Sequence, residues 1–546
     1  MSFSVSRFER FGDCILVNLH GGQLIGGEQS SEGTQQFQAF DPSANLAFET
    51  KFYEATANEV DRALTLAHAA HRAFAGTSFE VRATFLEGIA ERLEQRRDDL
   101  IELCLGETAY PQMRVLSEFH RTVGQTRMFA KMVREGSWVE AKIDRGQAER
   151  KPIRKPDIRS MLHSLGPVVV FGASNFPLAI SVAGTDTTTA FAAGCPVVVK
   201  AHPAHPGTCE FIGQIICELI RELSLPPGVF SLLQGGDHEL GKSLVVHELT
   251  AAVAFTGGLR GGRVLHDLAK SRPRPIPFYA EMGSVNPVVV MPKAIENSCH
   301  EIATGFVQSV NLGVGQFCTS PGMLLVPKSE IGDHLIDAVK KQLETASHGV
   351  MLSRNIQDTY LRGLDVLRQD ERVMLYNDVL GQSIRGGNEV PCVIAVVDAT
   401  TMDQNSATMQ ELFGPCSILV RCDGMSEIIR VIECLGGQLT ATVHGTDEDL
   451  ATCSELLDCL RQKVGRVVFN GFPTGVEVCH AMHHGGPFPA ASDPHFTSIG
   501  TAAIKRFVRP VCYQDSPQSM LPVELQDENQ CGILRLVDGV YTRDAV

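Results

Sequence analysis

The apolar positions of this chain change rhythm twice. Up to about residue 145 they recur mainly at helical spacing. The stretch 58–75 carries Val60, Leu64, Ala67, Ala70 and Phe74. Ser78 is placed to cap a second helix with Phe85, Ile89 and Leu93, and a third helix runs through Leu100, Ile101 and Leu105. Residues 141–160 are charged and hold two prolines, which predicts a surface connection or hairpin. From 166 onward, short β-branched runs alternate with helical patterns. Runs at 168–171, 196–200, 229–233, 252–255 and 278–281 read as strands, and 177–193, 208–223 and 240–247 read as helices. In 208–223 the residues Ile212, Ile215, Ile216, Leu219, Ile220 and Leu223 form one apolar face. Strands without polar alternation are buried on both faces. The pattern therefore predicts an α/β chain with a parallel, doubly wound sheet. A second unit of the same kind follows over 284–490, with strands at 288–291, 323–326, 393–397 and 417–420. Its predicted helix at 333–345 has Asp333 as N-cap. No internal repeat or low-complexity tract is visible. The polar tail beyond Pro510 has no assigned role.

Residues 160–185 contain no Asp, Glu, Lys or Arg. Gly166-Pro167, Gly172 and Pro177 would leave backbone groups unpaired in lipid, so the stretch reads as a buried strand, turn and helix rather than a membrane span. The N-terminal segment, with Arg7, Glu9 and Arg10, has no apolar run of signal-peptide length. The expected location is the cytoplasm.

Composition changes the picture in three places. A length of 546 residues suggests about three domains. The balance of 48 basic against 63 acidic residues argues against nucleic-acid and anionic-membrane partners. Sixteen cysteines are too dilute for a disulfide scaffold, and many lie in or beside apolar runs, which predicts a reducing compartment.

Parallel sheets bind ligands at the carboxyl ends of their strands. The first run ends at FGASNFP (171–177) and so places Asn175 at the mouth of the sheet. The second ends at Lys200 and the fifth at Glu281. The fourth ends at FTGGLRGG (255–262), where Gly257 and Gly262 open a helix. Such a turn can present backbone N–H groups to a phosphate, although a generic strand-to-helix turn has the same glycines. In LGVGQFCTSPG (312–322), Cys318 follows a glycine pair that lets the backbone approach a ligand closely. A thiolate there could attack a carbonyl, with a nearby base managing water.

These residues carry a resemblance. The motifs SNFPLA (174–179), VVVK (197–200), FTGG (255–258), YAEMGSVNP (279–287), GVGQFC (313–318) and ELFGP (411–415) resemble those of the NAD(P)-dependent aldehyde dehydrogenase superfamily, in order and at close to its spacing, over about residues 50–510. Within it, YAEMGSVNP, AHPAHPGT (201–208) and NGFPTGVEVCHAM (470–482) are most similar to the 2-oxoglutarate semialdehyde (2,5-dioxopentanoate) dehydrogenases. The resemblance implies two doubly wound parallel-sheet domains plus a small oligomerisation arm. Residues 1–145 and 166–283 would form the cofactor domain and 284–488 the catalytic domain. Residues 146–165 and 496–512 would form the arm of a homodimer or homotetramer, with 513–546 a C-terminal extension.

The implied reaction oxidises an aldehyde to a carboxylate. Cys318 matches the nucleophile, Asn175 the oxyanion-hole donor, and Glu281 the base that activates water for thioester hydrolysis. Cofactor contacts are implied for Phe171, Ala173, Lys200, His202, Gly235, Gly257, Gly262, Glu411 and Phe413. NAD-preferring relatives often carry a glutamate three residues after the lysine. Here Pro203 stands there, so NADP is expected, with NAD possible. His202 and His205 read singly as surface loop residues. Gly258 replaces the usual serine, and the short glutamate-bearing segment that many relatives have near their C-terminus is not evident. For the substrate, Phe317 and Phe472 would wall the tunnel and Arg127 would meet the far carboxylate. Oxidation of 2-oxoglutarate semialdehyde is the leading expectation. A fatty or broad aliphatic aldehyde is the near alternative. A CoA-acylating relative would generally lack the glutamate at 281, and a retired cofactor-binding protein would not keep Asn175, Glu281 and Cys318. The stretch 480–494 brings His480, His483 and His484 beside Cys479. Gly485-Gly486-Pro487 argues for a loop near the cofactor entrance, and no metal is expected.

Overall fold

The computed structural model describes residues 18–378, 387–402 and 406–546. The N-terminal segment read for targeting signals, including Arg7, Glu9 and Arg10, lies outside them.

The N-terminal region is more mixed than its periodicity predicts. Before the helices come β1 (Gln23–Ile25), β2 (Glu28–Ser30) and a hairpin of Gln36–Asp41 with Leu46–Tyr53. These strands are too short, or too polar, to show an alternating pattern. Four helices follow: α1 (Ala57–Ala75), α2 (Phe79–Gln95), α3 (Arg97–Thr108) and α4 (Gln112–Glu135). Thr56 and Glu59 close a capping box on α1, and Ser78 caps α2 as expected, taking the Val81 N–H.

The first sheet then assembles from β3 (Val168–Phe171), β4 (Val197–Lys200), β5 (Phe230–Leu233), β6 (Ala252–Thr256) and β7 (Phe278–Glu281). Their order is β7-β6-β3-β4-β5, all parallel, with β1 and β2 added antiparallel beyond β5. The chain runs from β3 outward to β5 and then returns to the other side at β6. That reversal opens the crevice where such sheets hold ligands. The crossover helices are α5 (Thr185–Ala193), α6 (Pro206–Glu222), α7 (Glu239–Val246) and α8 (Leu259–Ser271). The predicted face of α6 is buried from Ile212 to Ile220.

One helix is shorter than its apolar run predicts. Residues 177–184 form turns, and α5 begins only at Thr185. The reason is Glu118 of α4, whose Oε1 accepts the N–H groups of Leu178 (2.8 Å) and Ala179 (2.9 Å). Those donors are satisfied without a helix.

The second sheet comprises β8 (Pro287–Val290), β9 (Met323–Pro327), β10 (Met374–Tyr376), β11 (Val393–Asp398), β12 (Cys416–Cys422), β13 (Gln438–His444) and β14 (Val464–Phe469). The order is β10-β11-β12-β9-β8-β13-β14, with only β10 antiparallel. Between β8 and β9 runs α9 (Pro292–Asn311). The helix after β9 spans Glu330–Leu343. Its cap is Ser329, which takes the Gly332 N–H, and not Asp333, which lies inside its first turn.

The arm is a five-stranded sheet, and its make-up corrects the reading of the tail. Val508–Gln514 pairs with Ile158–Ser164, which pairs with Lys142–Asp144. Arg535–Val537 and Val540–Thr542 then extend it. Residues beyond 513 are thus two strands of the arm sheet and part of its core, where Leu521, Leu525, Ile533 and Val537 meet Val139, Ile143 and Met161. Three-residue strands separated by polar turns leave little trace in a hydrophobicity pattern. Among the described residues no helix is long and apolar enough to cross a membrane.

Candidate active site

The end of α9 sets the position of Cys318. Gly313, Val314 and Gly315 all take positive φ, at 58°, 60° and 64°. Glycine adopts this backbone freely, but Val314 is β-branched and strained there by about 1–3 kcal/mol. Packing holds it in place: Val314 is buried, and a Cβ on the facing Gly349 would lie 2.5 Å from its Cγ2. Asn286, fully buried, then ties down the loop. Its Nδ2 donates to the carbonyls of Cys318 (2.8 Å) and Ser320 (2.9 Å). Its Oδ1 accepts from Ser284 (2.8 Å) and Thr440 (3.1 Å). The GSVNP motif therefore positions the thiol directly, a role the sequence did not reveal.

Asn175 reaches the same place from the end of β3. Its side-chain N–H donates to the Gln316 carbonyl at 2.8 Å. An amide nitrogen carries two hydrogens, so one remains for a ligand oxygen. The Asn175 carbonyl accepts from Arg114 (2.6 Å) and Tyr110 (3.3 Å), which fixes the turn.

The third component is the residue most fully missed. His484 lies between Cys318 and Glu281. Its Nε2 is 3.5 Å from the Cys318 sulfur and its Nδ1 is 3.0 Å from Glu281 Oε2. Ser498 Oγ also approaches Nδ1, at 3.2 Å. With Nδ1–H donated to the carboxylate, Nε2 faces the sulfur and is placed to take and hold its proton. A nucleophile, a base and an orienting acid therefore stand in line. Burial raises Glu281 above the ordinary carboxyl range, with His484 partly opposing it. For His484, burial pulls down, but the charge of the Cys318 sulfur and the hydrogen bonds to Cys318 and Glu281 outweigh it, and the imidazole is pushed up to about 9. Glu281 Oε1 has no protein partner among the described residues.

Backbone pairing delivers His484. The 480–494 loop is strapped to β7: Met282 N–H donates to Ala490 O (2.7 Å) and Ser492 N–H to Ala280 O (3.0 Å). The Ser492 side chain links Phe278 O and Ala280 N–H. The strap passes so close to β13 that a Cβ on Gly486 would sit 2.3 Å from the Gln438 carbonyl oxygen. The only sequence signal was a histidine before Gly-Gly-Pro, weighed there for a metal. His480 instead points outward to Thr501 (3.2 Å), and among the described residues no group of three or more His, Cys, Asp or Glu is placed to hold a metal ion.

Of the residues expected to hold a dinucleotide, Phe171, Lys200, Gly257 and Gly262 stand at or just beyond the carboxyl ends of the first sheet's strands. Lys200 Nζ donates to Gly235 O at 2.6 Å, and burial draws its ammonium down to about 8. Phe171 packs on Phe255 with ring centroids 5.8 Å apart. Gly257 and Gly262 sit against Phe255 and Met282 with no room for a Cβ. A Cβ on Gly258 would meet nothing within 4 Å, so the mouth of α8 is an open cradle with its first N–H groups free. That opening fits a pyrophosphate, and a serine would fit there too. Glu411 folds its carboxyl over Gly283 and against the Ser284 N–H, and this partial desolvation of the carboxyl raises it although the residue as a whole is exposed. Phe413 is half-buried beside it.

Other positions depart from expectation. His205 is no surface residue: it is fully buried, stacks on half-buried His202 at 5.3 Å, and meets the Ala173 carbonyl (3.2 Å) and Cys209 sulfur (3.3 Å). The AHPAHPGT segment thereby wires α6 to the turn after β3. Glu54 also enters the crevice from the N-terminal hairpin. It accepts the Gly236 N–H at 2.8 Å and lies within electrostatic reach of Lys200.

On the substrate side, Phe317 is buried and meets Phe176 edge-on at 5.3 Å. Phe472 packs over Gly305 and against His444 (4.9 Å) and Phe306 (6.4 Å). Arg127 is a correction. It lies on the outer side of α4 in a two-point ion pair with Glu94 (2.8 and 2.5 Å), turned away from the site by helical phase.

The chain as a whole is similar to known proteins. The profile of the aldehyde dehydrogenase family matches residues 29–487. The alpha-ketoglutaric semialdehyde dehydrogenase 2 of Azospirillum brasilense is 45% identical over 524 residues, covering 96% of this chain and 99% of that protein. The alpha-ketoglutaric semialdehyde dehydrogenase of Acinetobacter baylyi is 41% identical over 525 residues, covering 96% and 99%. Among solved structures, the methylmalonate-semialdehyde dehydrogenase of Oceanimonas doudoroffii superposes with a TM-score of 0.78 at 19% identity, covering 90% of this chain and 97% of that one.

Proposed function

The chain belongs to the aldehyde dehydrogenase family, and from that premise we propose that it oxidises 2-oxoglutarate semialdehyde to 2-oxoglutarate, with NADP as acceptor and NAD also usable. The observation that carries the chemistry is the line Cys318–His484–Glu281 beside Asn175. The substrate rests on the two relatives that match nearly end to end.

With its proton already held by His484 Nε2, the Cys318 sulfur attacks the aldehyde carbon as a thiolate. The developing alkoxide meets the second hydrogen of Asn175 Nδ2 and the backbone N–H of Cys318. One such donor is worth about 3–4 kcal/mol in the transition state. Lys200, Glu411 and the open mouth of α8 would hold the dinucleotide, which when bound would supply the hydride acceptor needed to convert the thiohemiacetal to a thioester on Cys318. A water at the free Oε1 of Glu281 then loses its proton to the carboxylate and attacks the thioester. Protonated His484 stabilises the departing thiolate, and the carboxylate product leaves. Among the described residues, Glu281 and His484 are the groups that manage protons around the sulfur.

Pro203 leaves no carboxylate on β4 itself to repel a 2′-phosphate, and Lys200 favours one. Glu54 opposes Lys200 from the other side of the crevice, so discrimination between the two dinucleotides is modest. The unpaired edge of the strand Val508–Gln514 supports assembly as a homodimer or homotetramer. An initial-rate panel of 2-oxoglutarate semialdehyde, succinic semialdehyde and straight-chain alkanals, each with NAD and NADP, tests the proposal. The semialdehyde with NADP should give the highest kcat/KM. A clear preference for hexanal or longer alkanals would refute the substrate and indicate an aliphatic aldehyde.

A further inference from the structure

One face of α4 is turned to the catalytic turn, and of its long polar side chains Arg114, Glu118 and Gln125 make hydrogen bonds there while Arg121 makes none. Arg114 donates to the Asn175 carbonyl and lies over the rings of Tyr110, Phe176 and Phe317, at 4.4, 4.9 and 4.3 Å. Glu118 Oε1 holds Leu178 and Ala179, and Gln125 donates to the Ala179 carbonyl at 3.1 Å. Arg121 lies on this face between Glu118 and Gln125. Its guanidinium sits 5.3 Å over Phe176, the ring that meets Phe317 edge-on. Its Nε and Nη2 are buried, and neither has a hydrogen-bond partner. Among the described residues, no carboxylate comes within ion-pairing distance of it. Glu118, the Cys318 sulfur and Glu477 lie within its electrostatic reach.

A buried cation without a partner is costly, and that cost is relieved when an anion arrives. The other arginine near the sulfur is already occupied: Arg466 donates to the carbonyls of Pro473 (2.6 Å) and Gly475 (3.3 Å). Arg114, which already donates to the Asn175 carbonyl, leaves its buried Nε unpaired, but Arg121 leaves both Nε and Nη2 unpaired, and a guanidinium presents such a pair in the fork that suits a carboxylate. Phe176 and Phe317 provide the apolar wall that an intervening carbon chain would lie against.

We propose that Arg121 binds the far carboxylate of an ω-oxo acid while Cys318 attacks its aldehyde carbon, and so sets the preference for semialdehydes over uncharged aldehydes. The assignment rests on the substrate reading above, to which it adds the residue that recognises the charge.

The test is kcat and KM of the full-length enzyme and of Arg121→Ala, Arg121→Met and Arg121→Lys, with 2-oxoglutarate semialdehyde, succinic semialdehyde and hexanal. The ratio of kcat/KM for semialdehyde over hexanal should fall about 10²-fold in the Ala and Met variants, mainly through KM. Lys should recover part of that ratio. Met retains volume, so it serves if Ala folds poorly. Equal losses on charged and uncharged aldehydes would make Arg121 a packing residue and overturn the proposal. A wild-type enzyme that favours semialdehydes, with the ratio unmoved in the variants, would overturn Arg121 alone. A wild-type enzyme indifferent to the carboxylate would overturn the substrate reading as well.

Discussion

His484 works against its own burial, and that makes its contribution measurable. Replacing it with Gln keeps hydrogen-bonding capacity but removes the imidazole that takes and holds the proton beside the sulfur. His484→Gln should slow the pre-steady-state burst of reduced nicotinamide cofactor by about 10²-fold or more, the usual worth of a positioned base. An unchanged burst would leave His484 without a part in the attack. Glu281→Gln should separate the two half-reactions, with the burst retained and steady-state turnover slowed. Loss of the burst as well would place Glu281 in the first step. Stability should carry the same signature. His484 is pushed up to about 9, so the folded chain keeps a proton that the unfolded chain releases above the ordinary value of 6.5. That stabilisation is complete below about pH 6.5 and is lost as pH rises through about 9, amounting to up to about 3 kcal/mol. Glu281, raised by burial, contributes with the same sign at lower pH. Denaturant unfolding at pH 6, 7.5 and 9 should show stability falling in the wild type and a flatter profile in His484→Gln. Asn175, Cys318 and Glu281 were legible because each ends an apolar run or sits in a glycine turn. His484 was not, because what places it is pairing across some 200 residues of sequence.

At the scale of elements, strand ends were readable and loops were not. The runs at 168–171, 252–255 and 278–281 gave β3, β6 and β7 almost to the residue, and so the rim of the crevice. The strap at 480–494 has no periodicity, because neither a helix nor a ladder organises it. Its shape is dictated by β7 on one side and β13 on the other. Gly486 is the point of closest approach. In Gly486→Ala the new methyl would meet the Gln438 carbonyl and push the strap outward, taking His484 from the sulfur. The expected result is a fall of about 10-fold or more in kcat/KM, with dinucleotide affinity, measured by fluorescence titration, little altered. Helical phase explains the substrate arginine in the same way. Arg121 and Arg127 are six residues apart on α4, so they cannot share a face, and composition alone does not say which of them looks inward.

The whole molecule depends on a tail that the sequence left without a role. Its strands Arg535–Val537 and Val540–Thr542 cover the arm strand Lys142–Asp144, which would otherwise be an open edge. The tail also buries one charge, that of fully enclosed Arg535, whose guanidinium donates to the carbonyls of Gln526, Asp527 and Asp544. Arg159 ties the arm to the tail through Asp527 at 2.7 Å. Leu525 is fully buried at the centre of this contact. Leu525→Ala should cost about 2–5 kcal/mol in denaturant unfolding, as large-to-small changes in cores do. The catalytic line lies in the crevice between the two large sheets, so kcat/KM should change little. Deleting 518–546 should go further. It exposes the edge of Lys142–Asp144 and the apolar face of Val139, Ile143 and Met161 together, and an unpaired strand beside an apolar patch recruits other chains. Size-exclusion chromatography should show soluble aggregates in place of a defined oligomer. A truncated chain that kept the wild-type elution volume and unfolding midpoint would show that the tail is an appendage to the arm and not part of it.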